Sequence, residues 1–518
     1  MKYQISDFKI SPKDEKDFDN ILKKKLKINN FKYRIIAKSI DARKENDIKV
    51  IYKLLIETNE KIKLNDKVTI YKDEKIDMKY PNWEKNDTPI IVGFGPAGMF
   101  CALFLARCNA KPIIIERGSK IEDRVNDVNE FIKTGKLNTE SNVQFGEGGA
   151  GTFSDGKLTT NLRNPLIKFI LEEFYKHGAK EDVLYDAKPH VGTDYLRKIV
   201  KNIREEIISL GGKFYFNTKF EKVVKNENNL IVTARNNNEV YSFETNHLIL
   251  GLGHSAKDTI RMLYNELGME MEAKAFSMGV RIEHPKELID KAQYKEFYKY
   301  LPSAYYNLAY HNNENRGVYT FCMCPGGYVL ASQSDKESIV VNGMSNNDRG
   351  NINSNSAILV DVKPTDYYKS SVLDGLDFQE YYEHKAYILG GSNYSAPVNL
   401  VKEFLNDEVA KEFRSVKPSY PLKTKFADLK ECLPDFVING LKDGIVAFDK
   451  KLKGFNYDDA ILTGIESRSS CPIRMIRDEY LQSNIKYIYP IGEGAGYAGG
   501  ITSAALDGLK CAIKIAEE

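Results

Sequence analysis

The sequence predicts an α/β fold built around a parallel sheet, with a β-rich α+β section inserted into it and a small α+β domain ahead of it. Three observations predict this. From Thr88 to about Glu272 short apolar runs alternate with amphipathic helical patterns, as strands joined by crossover helices do. From about Ala273 to Gly464 the texture changes to tyrosine-rich segments and short runs such as "AFSMGVRIEHP", "GVYTFCMCP" and "SIVVNGMS". From about Ile465 strand, turn and helix return in "IKYIYPIGEGAGYAGGITSAALDGLKCAIKIAEE", so the chain leaves the first unit and comes back to it.

Residues 1–87 read as a domain and linker: strand "YQISDFKI", helix "DEKDFDNILKKKLKI", strands "YRIIAKSI" and "IKVIYKLLIET", then the polar stretch "DEKIDMKYPNWEKNDT" with Pro81 and the single tryptophan, Trp83. Residues 88–272 together with 465–518 form the α/β unit, and 273–464 the inserted one. Within the α/β unit "LIKFILEEFYKHGA" and "YLRKIVKNIREEIISLGG" are amphipathic helices, the second stopped by Gly211 and Gly212. The strands "KFYFNTKFEKVVKN" and "NLIVTARN" follow. The asparagine-rich "SNNDRGNINSNS" reads as loop.

A chain of 518 residues exceeds what one hydrophobic core serves, which fits two or three domains. "MKYQISDFKI" lacks the apolar core of a signal peptide and no run is long enough to span a bilayer, so a cytoplasmic protein without a membrane partner is expected. The seven cysteines include no C-x-x-C and no Cys/His cluster at zinc spacing, and neither a disulfide framework nor a metal is expected. Cys322 and Cys324 in "FCMCPGG" read as buried small hydrophobes. Residues 1–88 carry 22 Lys and Arg against 16 Asp and Glu, and the rest 53 against 56, so a basic amino-terminal segment precedes a slightly acidic body. Lys23, Lys24 and Lys25 read as a solvated helix face, because no aromatic stacking signature accompanies them.

The chemistry begins at "TPIIVGFGPAGMFCALFLARCNAKPIIIERG". Gly93, Gly95 and Gly98 stand in G-x-G-x-x-G spacing between a strand and a helix. Gly93 permits the tight turn, Gly95 lets the backbone of Gly95, Pro96 and Ala97 approach a pyrophosphate, and Gly98 allows close helix–strand packing. The unpaired N–H groups at the helix start then face the phosphates. Eighteen residues beyond Gly98 the strand "KPIIIE" delivers Glu116, an acid placed to accept hydrogen bonds from ribose hydroxyls. An acid there disfavours a 2′-phosphate, so FAD or NAD is preferred over NADP. Arg117 and Arg124 follow as cofactor contacts or as surface charges. "NVQFGEGGAGTFSDGK", with Gly148, Gly149, Ala150, Gly151 and Thr152, is glycine-dense enough to run backbone against a planar ring or a pyrophosphate.

FAD is separated from NAD by what lies further on. "GEGAGYAGGITSA", Gly492 to Ala504, is a second glycine-rich turn with Glu493 at its tip and a helix opening at Gly500 and Ile501. It resembles the closing motif of flavoproteins of the glutathione reductase and p-hydroxybenzoate hydroxylase type, where an acid after a glycine bonds the ribityl chain. The usual acid is Asp, so Glu493 departs by one methylene. "HLILGLGHSA", with Gly251 and Gly253, resembles the strand and turn that end the middle excursion of those folds. With "SIDARKENDIKVIY", "SNVQFGEGGAGTFSDGKL", "FSMGVRIEHP", "FCMCPGGYV" and "ESRSSCPIR", these strings resemble a narrower group, the bacterial FAD-dependent, NAD(FAD)-utilising dehydrogenases. That resemblance covers most of the chain. It implies a Rossmann-like FAD-binding fold, FAD as cofactor, Val223 among the cofactor-side residues, and oxidoreduction of an unnamed substrate.

A flavin carries the hard chemistry, so few catalytic residues are expected. No C-x-x-x-x-C lies beside the first helix, which argues against a disulfide reductase. No second G-x-G-x-x-G marks a separate NAD(P) domain, so NADH or NADPH, if used, would dock transiently at the flavin face. Arg468, Arg474 and Arg477 in "ESRSSCPIRMIRDE" are the substrate-side candidates: Arg468 for catalysis, Arg474 and Arg477 for gripping a carboxylate or phosphate. They equally suit ion pairs between domains. His254 is a candidate proton carrier, or a structural histidine after a glycine turn. The leading expectation is an FAD-dependent oxidoreductase acting on a small molecule. Two alternatives are a nucleic-acid-associated flavoprotein using the basic amino-terminal domain, for which no nucleic-acid signature is present, and a flavin-binding redox sensor without turnover. The sequence assigns no oligomeric state.

Overall fold

The computed structural model describes residues 1–72 and 77–518. The amino-terminal strands pair antiparallel in the order Lys32–Asp41, Lys49–Glu57, Lys2–Ile10, Val68–Ile70. Period-two alternation turns Tyr3, Ile5, Val50, Tyr52, Leu54 and Ile56 inward, against Phe18 and Leu22 of the helix Phe18–Leu26. Lys23, Lys24 and Lys25 are left exposed on that helix. Asp73–Ile76, the start of the expected linker, lie outside the described residues. Beyond them Trp83 is tied down, its indole N–H donating to the Asp87 carbonyl and its backbone N–H to that of Cys108.

A five-stranded all-parallel sheet follows, in the order Ile488–Pro490, Leu248–Leu250, Ile90–Val92, Ile113–Ile115, Lys213–Tyr215. Its strands are short and apolar, as buried parallel strands are. The last strand in sequence, Ile488–Pro490, pairs with Leu248–Leu250, so the chain re-enters this sheet after its long excursion. The helix Pro96–Arg107 packs on the closing helix Ile501–Glu517 so tightly that a Cβ on Gly508 would lie 2.0 Å from the Ala97 carbonyl oxygen. The run "KFYFNTKFEKVVKN" is not one strand. Lys213–Tyr215 joins the parallel sheet, and after a turn at Asn217 (φ +50°) the segment Lys219–Lys225 opens an antiparallel meander with Leu230–Arg235 and Val240–Thr245. The turn is pinned by Asn217 and Thr218 donating to the carbonyls of Gly118 and Glu116.

The excursion builds a seven-stranded mixed sheet in the order Ala309–His311, Gly317–Cys324, Asn353–Val362, Phe276–Pro285, Ile461–Glu466, Ala396–Leu400, Thr424–Phe426. Phe276–Pro285 and Asn353–Val362 are buried almost throughout, because helices cover the sheet. Asp435–Lys451 approaches it through Gly440 and Gly444, whose missing side chains admit Val360 and Val318.

Candidate active site

A cavity of about 740 Å³ runs from the C-terminal ends of the parallel strands to the edge of the mixed sheet. Ligands of open α/β sheets bind at such strand ends, and the volume falls within the roughly 300–1,000 Å³ of small-molecule sites.

The turn after Ile90–Val92 has the geometry its glycines require. Gly93 takes φ +91°, and a Cβ there would lie 2.3 Å from the Gly251 carbonyl oxygen. A Cβ on Gly98 would lie 2.0 Å from the Gly93 carbonyl oxygen, the close helix–strand contact expected of it. Gly95 faces open space except for Gly149, and Gly93, Gly95, Pro96 and Ala97 line the cavity. Gly95 caps the helix Pro96–Arg107 without a side-chain hydrogen bond, and no acid occupies the first turn. The helix Ile501–Glu517 likewise opens without an acid, and Gly500 and Ile501 line the same cavity. Two helix N-termini therefore direct their free N–H groups and positive dipole ends at one space.

Glu116 lies in the wall, 5% exposed. Its Oε1 accepts from the backbone N–H groups of Gly118 and Gly146 at 3.0 Å each, while Oε2 accepts from Phe94 N–H at 2.9 Å. These bonds fix the carboxylate and leave lone pairs on Oε2 for a ligand hydroxyl. Arg117 lies over the Phe145 ring, 4.0 Å from its centroid, and is held by Glu140 and Asp258. It also lines the cavity.

Arg124 is neither a cavity residue nor a surface charge. It is fully buried and donates to the carbonyls of Asn142 (2.8 Å), Val143 (2.9 Å), Gly146 (3.2 Å), Glu147 (2.7 Å) and Gly149 (3.0 Å). No carboxylate lies within ion-pair distance of it among the described residues. Burial pulls its guanidinium down to about 10, against the charges of Glu116 and Glu147. The glycine-dense loop thus folds around an arginine, and a Cβ on Gly146 would collide with its Cδ at 2.3 Å. Gly149, Ala150 and Gly151 face the cavity from this loop. Gly148 and Thr152 lie beneath it, where a Cβ on Gly148 would meet Thr152 Oγ1 and Val200. Val223 packs into the meander's core with Phe220 and Val232, and it is Phe220 that reaches the cavity.

At the other wall stand Gly251, Gly253, His254 and Glu493. His254 Nδ1 donates to Glu493 Oε1 at 2.7 Å, while its Nε2 is buried without a partner. Gly492 (φ +75°) sits behind, its N–H donating to Asp507. Arg477 grips the same Asp507 at 2.7 and 3.0 Å and stacks on Tyr497, clamping the closing turn to the final helix. Arg474 pairs with Glu272 at 3.1 Å. Neither arginine reaches the cavity, so the substrate role expected of them has no geometric support.

Arg468 touches the cavity wall, but all five of its N–H groups are engaged: by Glu383 at 2.9 and 2.6 Å, Asp335 at 2.5 Å, Ser334 at 2.6 Å and Ser255 at 3.2 Å. It holds the wall together and has no donor left for a substrate.

Several cavity residues escaped sequence reasoning. Lys157, Lys188, Arg349 and Tyr305 line its far end, as does Cys322. Cys324 is buried as expected, but Cys322 is half-buried and takes φ +43° where the register of Gly317–Cys324 breaks. Nothing in the C-x-C spacing signals this.

The cavity fits a dinucleotide flavin. Its glycines leave space that any Cβ would fill, it receives two helix N-termini and a fixed acid, and it holds an unpartnered buried imidazole nitrogen. The matching family model agrees. Residues 275–469 match the model of the FAD-dependent protein, C-terminal domain-like family, and residues 1–57 match a domain of unknown function. A protein of Clostridium beijerinckii, described as uncharacterized, is 47% identical over 535 residues, covering 100% of this chain and 99% of that one. Among solved structures, the FAD complex of glycerol-3-phosphate dehydrogenase from Bacillus halodurans aligns with TM-score 0.37 and 10% identity over 84% of this chain, which spans 65% of that enzyme's length. A geranylgeranyl bacteriochlorophyll reductase-like protein from Thermoplasma acidophilum aligns with TM-score 0.37 and 11% identity, covering 83% of this chain and 78% of that one. No helix among the described residues is long and apolar enough to cross a membrane. Matched end to end by the clostridial relative and through its mixed sheet by the family model, the chain belongs to this family of FAD-dependent proteins.

Proposed function

We propose that the protein is an oxidoreductase that acts on a small molecule at the end of the cavity walled by the mixed sheet, with NADH or NADPH as a transient electron donor. One observation carries this reading. The cavity does not end at the glycine turns but continues past Ser154 and Lys157 to Tyr305, Asn307, Phe321 and Cys322. A cofactor cradle that opens into a second chamber suits turnover better than storage.

FAD, when bound, supplies hydride or electron transfer. The chain supplies the rest. Glu116 would bond the ribose hydroxyls, and the N-termini of Pro96–Arg107 and Ile501–Glu517 would hold the pyrophosphate. Glu493, fixed through one oxygen by His254, keeps the other for a polyol hydroxyl. With Nδ1 committed to Glu493, His254 presents Nε2 as the group able to hold or accept a proton. Ile115, Phe220, Phe321 and Ile491 make the walls apolar and exclude water.

The test is the visible spectrum of the purified protein, followed by anaerobic addition of NADH and NADPH. Rapid bleaching of a bound flavin by either is the expected result. A flavin that neither nucleotide reduces would overturn the donor, and a protein that takes up no FAD on reconstitution would overturn the whole reading.

Cys322 provides a second check on the chamber. Hydrogen bonding from Cys324 lowers its thiol; burial opposes this, and the nearby charges of Lys157 and Arg281 lower it further. The other six cysteines are buried. Iodoacetamide near neutral pH should therefore alkylate Cys322 first, FAD should slow the reaction, and Cys322→Ser should remove it, all read by peptide mass spectrometry. Equal labelling of several cysteines would contradict this exposure.

A further inference from the structure

The far chamber carries a charge imbalance. Asp155, fully buried, is the carboxylate for two cations there: Arg349 at 2.9 Å and Lys157 at 3.6 Å. Lys188 adds a third cation. Its ammonium lies 4.2 Å from the centroid of the Tyr305 ring, the same ring that Lys157 approaches at 5.3 Å. No carboxylate lies within ion-pair distance of Lys188 among the described residues. The other cations of the cavity wall are matched: Arg117 and Lys219 share Asp258, and Arg468 has Glu383 and Asp335. The excess positive charge is thus confined to the end away from Glu116.

Lys188 is exposed, so it needs no partner to be stable there, but cations gathered at one end of a cleft focus a positive potential on whatever enters it. The surrounding chain, and the like charge of Lys157, both hold the Lys188 ammonium below lysine's usual value. The remaining polar groups at this end are neutral and suited to accepting or donating at a ligand: Thr159, Thr160, Asn161 and Asn307. Tyr305 and Phe321 offer flat apolar surface beside them.

We propose that this chamber selects a small organic anion, whose charged group is received by Lys188 while its apolar part lies against the aromatic wall. The inference rests on the oxidoreductase reading and gives that reading's substrate a chemical class. Lys188 is the specificity residue, because Lys157 and Arg349 are already partnered by Asp155. The FAD phosphates would be held by the N-termini of Pro96–Arg107 and Ile501–Glu517, not by Lys188, so loss of Lys188 should leave FAD affinity unchanged.

The experiment is calorimetric titration of the FAD-loaded full-length protein with benzoate and with its neutral isostere benzamide. Benzoate is expected to bind at least about tenfold more tightly, hydrogen bonds to charged groups being the stronger class. Lys188→Met should erase the preference, and Lys188→Arg should retain most of it. The proposal is overturned if benzamide matches benzoate, if the preference survives in Lys188→Met, or if neither compound binds. The same sample's visible spectrum separates the two levels of inference: a yellow protein indifferent to charge takes down the anion site alone, and a colourless one takes down the flavin reading with it.

Discussion

Arg124→Met is expected to destabilise the protein by about 4 kcal/mol and to abolish FAD binding at micromolar cofactor. The substitution keeps an unbranched apolar stem and removes the guanidinium. The carbonyls of Asn142, Val143 and Glu147 then lose the donor that now reaches them. A buried acceptor left unpaired costs roughly 1–3 kcal/mol. Relief of burying an unpaired cation returns part of the sum, which leaves an effect at the upper end of single-substitution costs. The cofactor effect follows from the same bonds, because Gly149, Ala150 and Gly151 face the cavity only while the loop keeps its path around the guanidinium. Arg124→Lys should recover little, since a compact ammonium with three donors cannot span carbonyls that a planar five-donor fork now reaches. Denaturant unfolding and FAD fluorescence quenching measure the two effects separately. A loss below about 1 kcal/mol with normal FAD affinity would show that the loop holds its shape without Arg124.

This arginine marks where the sequence stops being readable. The turn at Gly93, Gly95 and Gly98 and the acid Glu116 are legible because each glycine answers to a neighbour within one strand–turn–helix unit, and the spacing itself states the geometry. Glu493 and Gly500 are read through the resemblance of their glycine-rich turn to a flavoprotein motif, not through spacing alone. Arg124 is not, because its partners are backbone carbonyls of a loop 18 to 25 residues further on, and a carbonyl leaves no mark in a sequence. It sits on the buried face of the amphipathic helix Ile121–Thr134, beside Ile121, Val128 and Phe131. The run from Lys213 to Asn226 reads as one strand, yet Asn217 divides it between two sheets, because the contacts that pin the turn come from Glu116 and Gly118. The chamber of Lys157, Lys188, Tyr305 and Cys322 is assembled from two stretches, 157–188 and 305–322, that lie more than a hundred residues apart, so only the fold brings them together. Arg468 was visible as a charge near the closing motif, but nothing local reveals that its five donors are spent.

Those five donors lead to the second large effect. Glu383, fully buried, holds Arg468 through two hydrogen bonds and Lys257 at 3.2 Å, and Asp335 completes the cluster. The helix Asp374–Gly390 carries Glu383, the helix Lys257–Asn265 opens on Lys257, and the segment after Ile461–Glu466 carries Arg468. The cluster therefore joins the parallel sheet to the mixed one across the cavity wall. Glu383→Leu is expected to cost about 3–5 kcal/mol, because it leaves two buried cations with only the partly exposed Asp335, shared between them, and Glu380, 3.5 Å from Lys257. Arg468→Met together with Glu383→Leu should cost clearly less than the two single changes added, since the pair is removed as a unit. Strict additivity in denaturant unfolding would mean that the two side chains do not share an interaction. The pH dependence has a definite sign. Burial raises the Glu383 carboxyl, but the charges of Arg468 and Lys257 more than reverse this and leave it at about 2. Its folded value lies below the roughly 4.3 of an unfolded glutamate, so its stabilisation is fully present above that pH and is lost as pH falls from about 5 towards 2. Glu383→Gln should flatten the acid limb of the stability profile in that window while leaving the neutral-pH slope as it was. An unchanged acid limb would place the negative charge that holds Arg468 and Lys257 on Asp335 and Glu380, and the joint between the sheets would then rest on two partly exposed carboxylates.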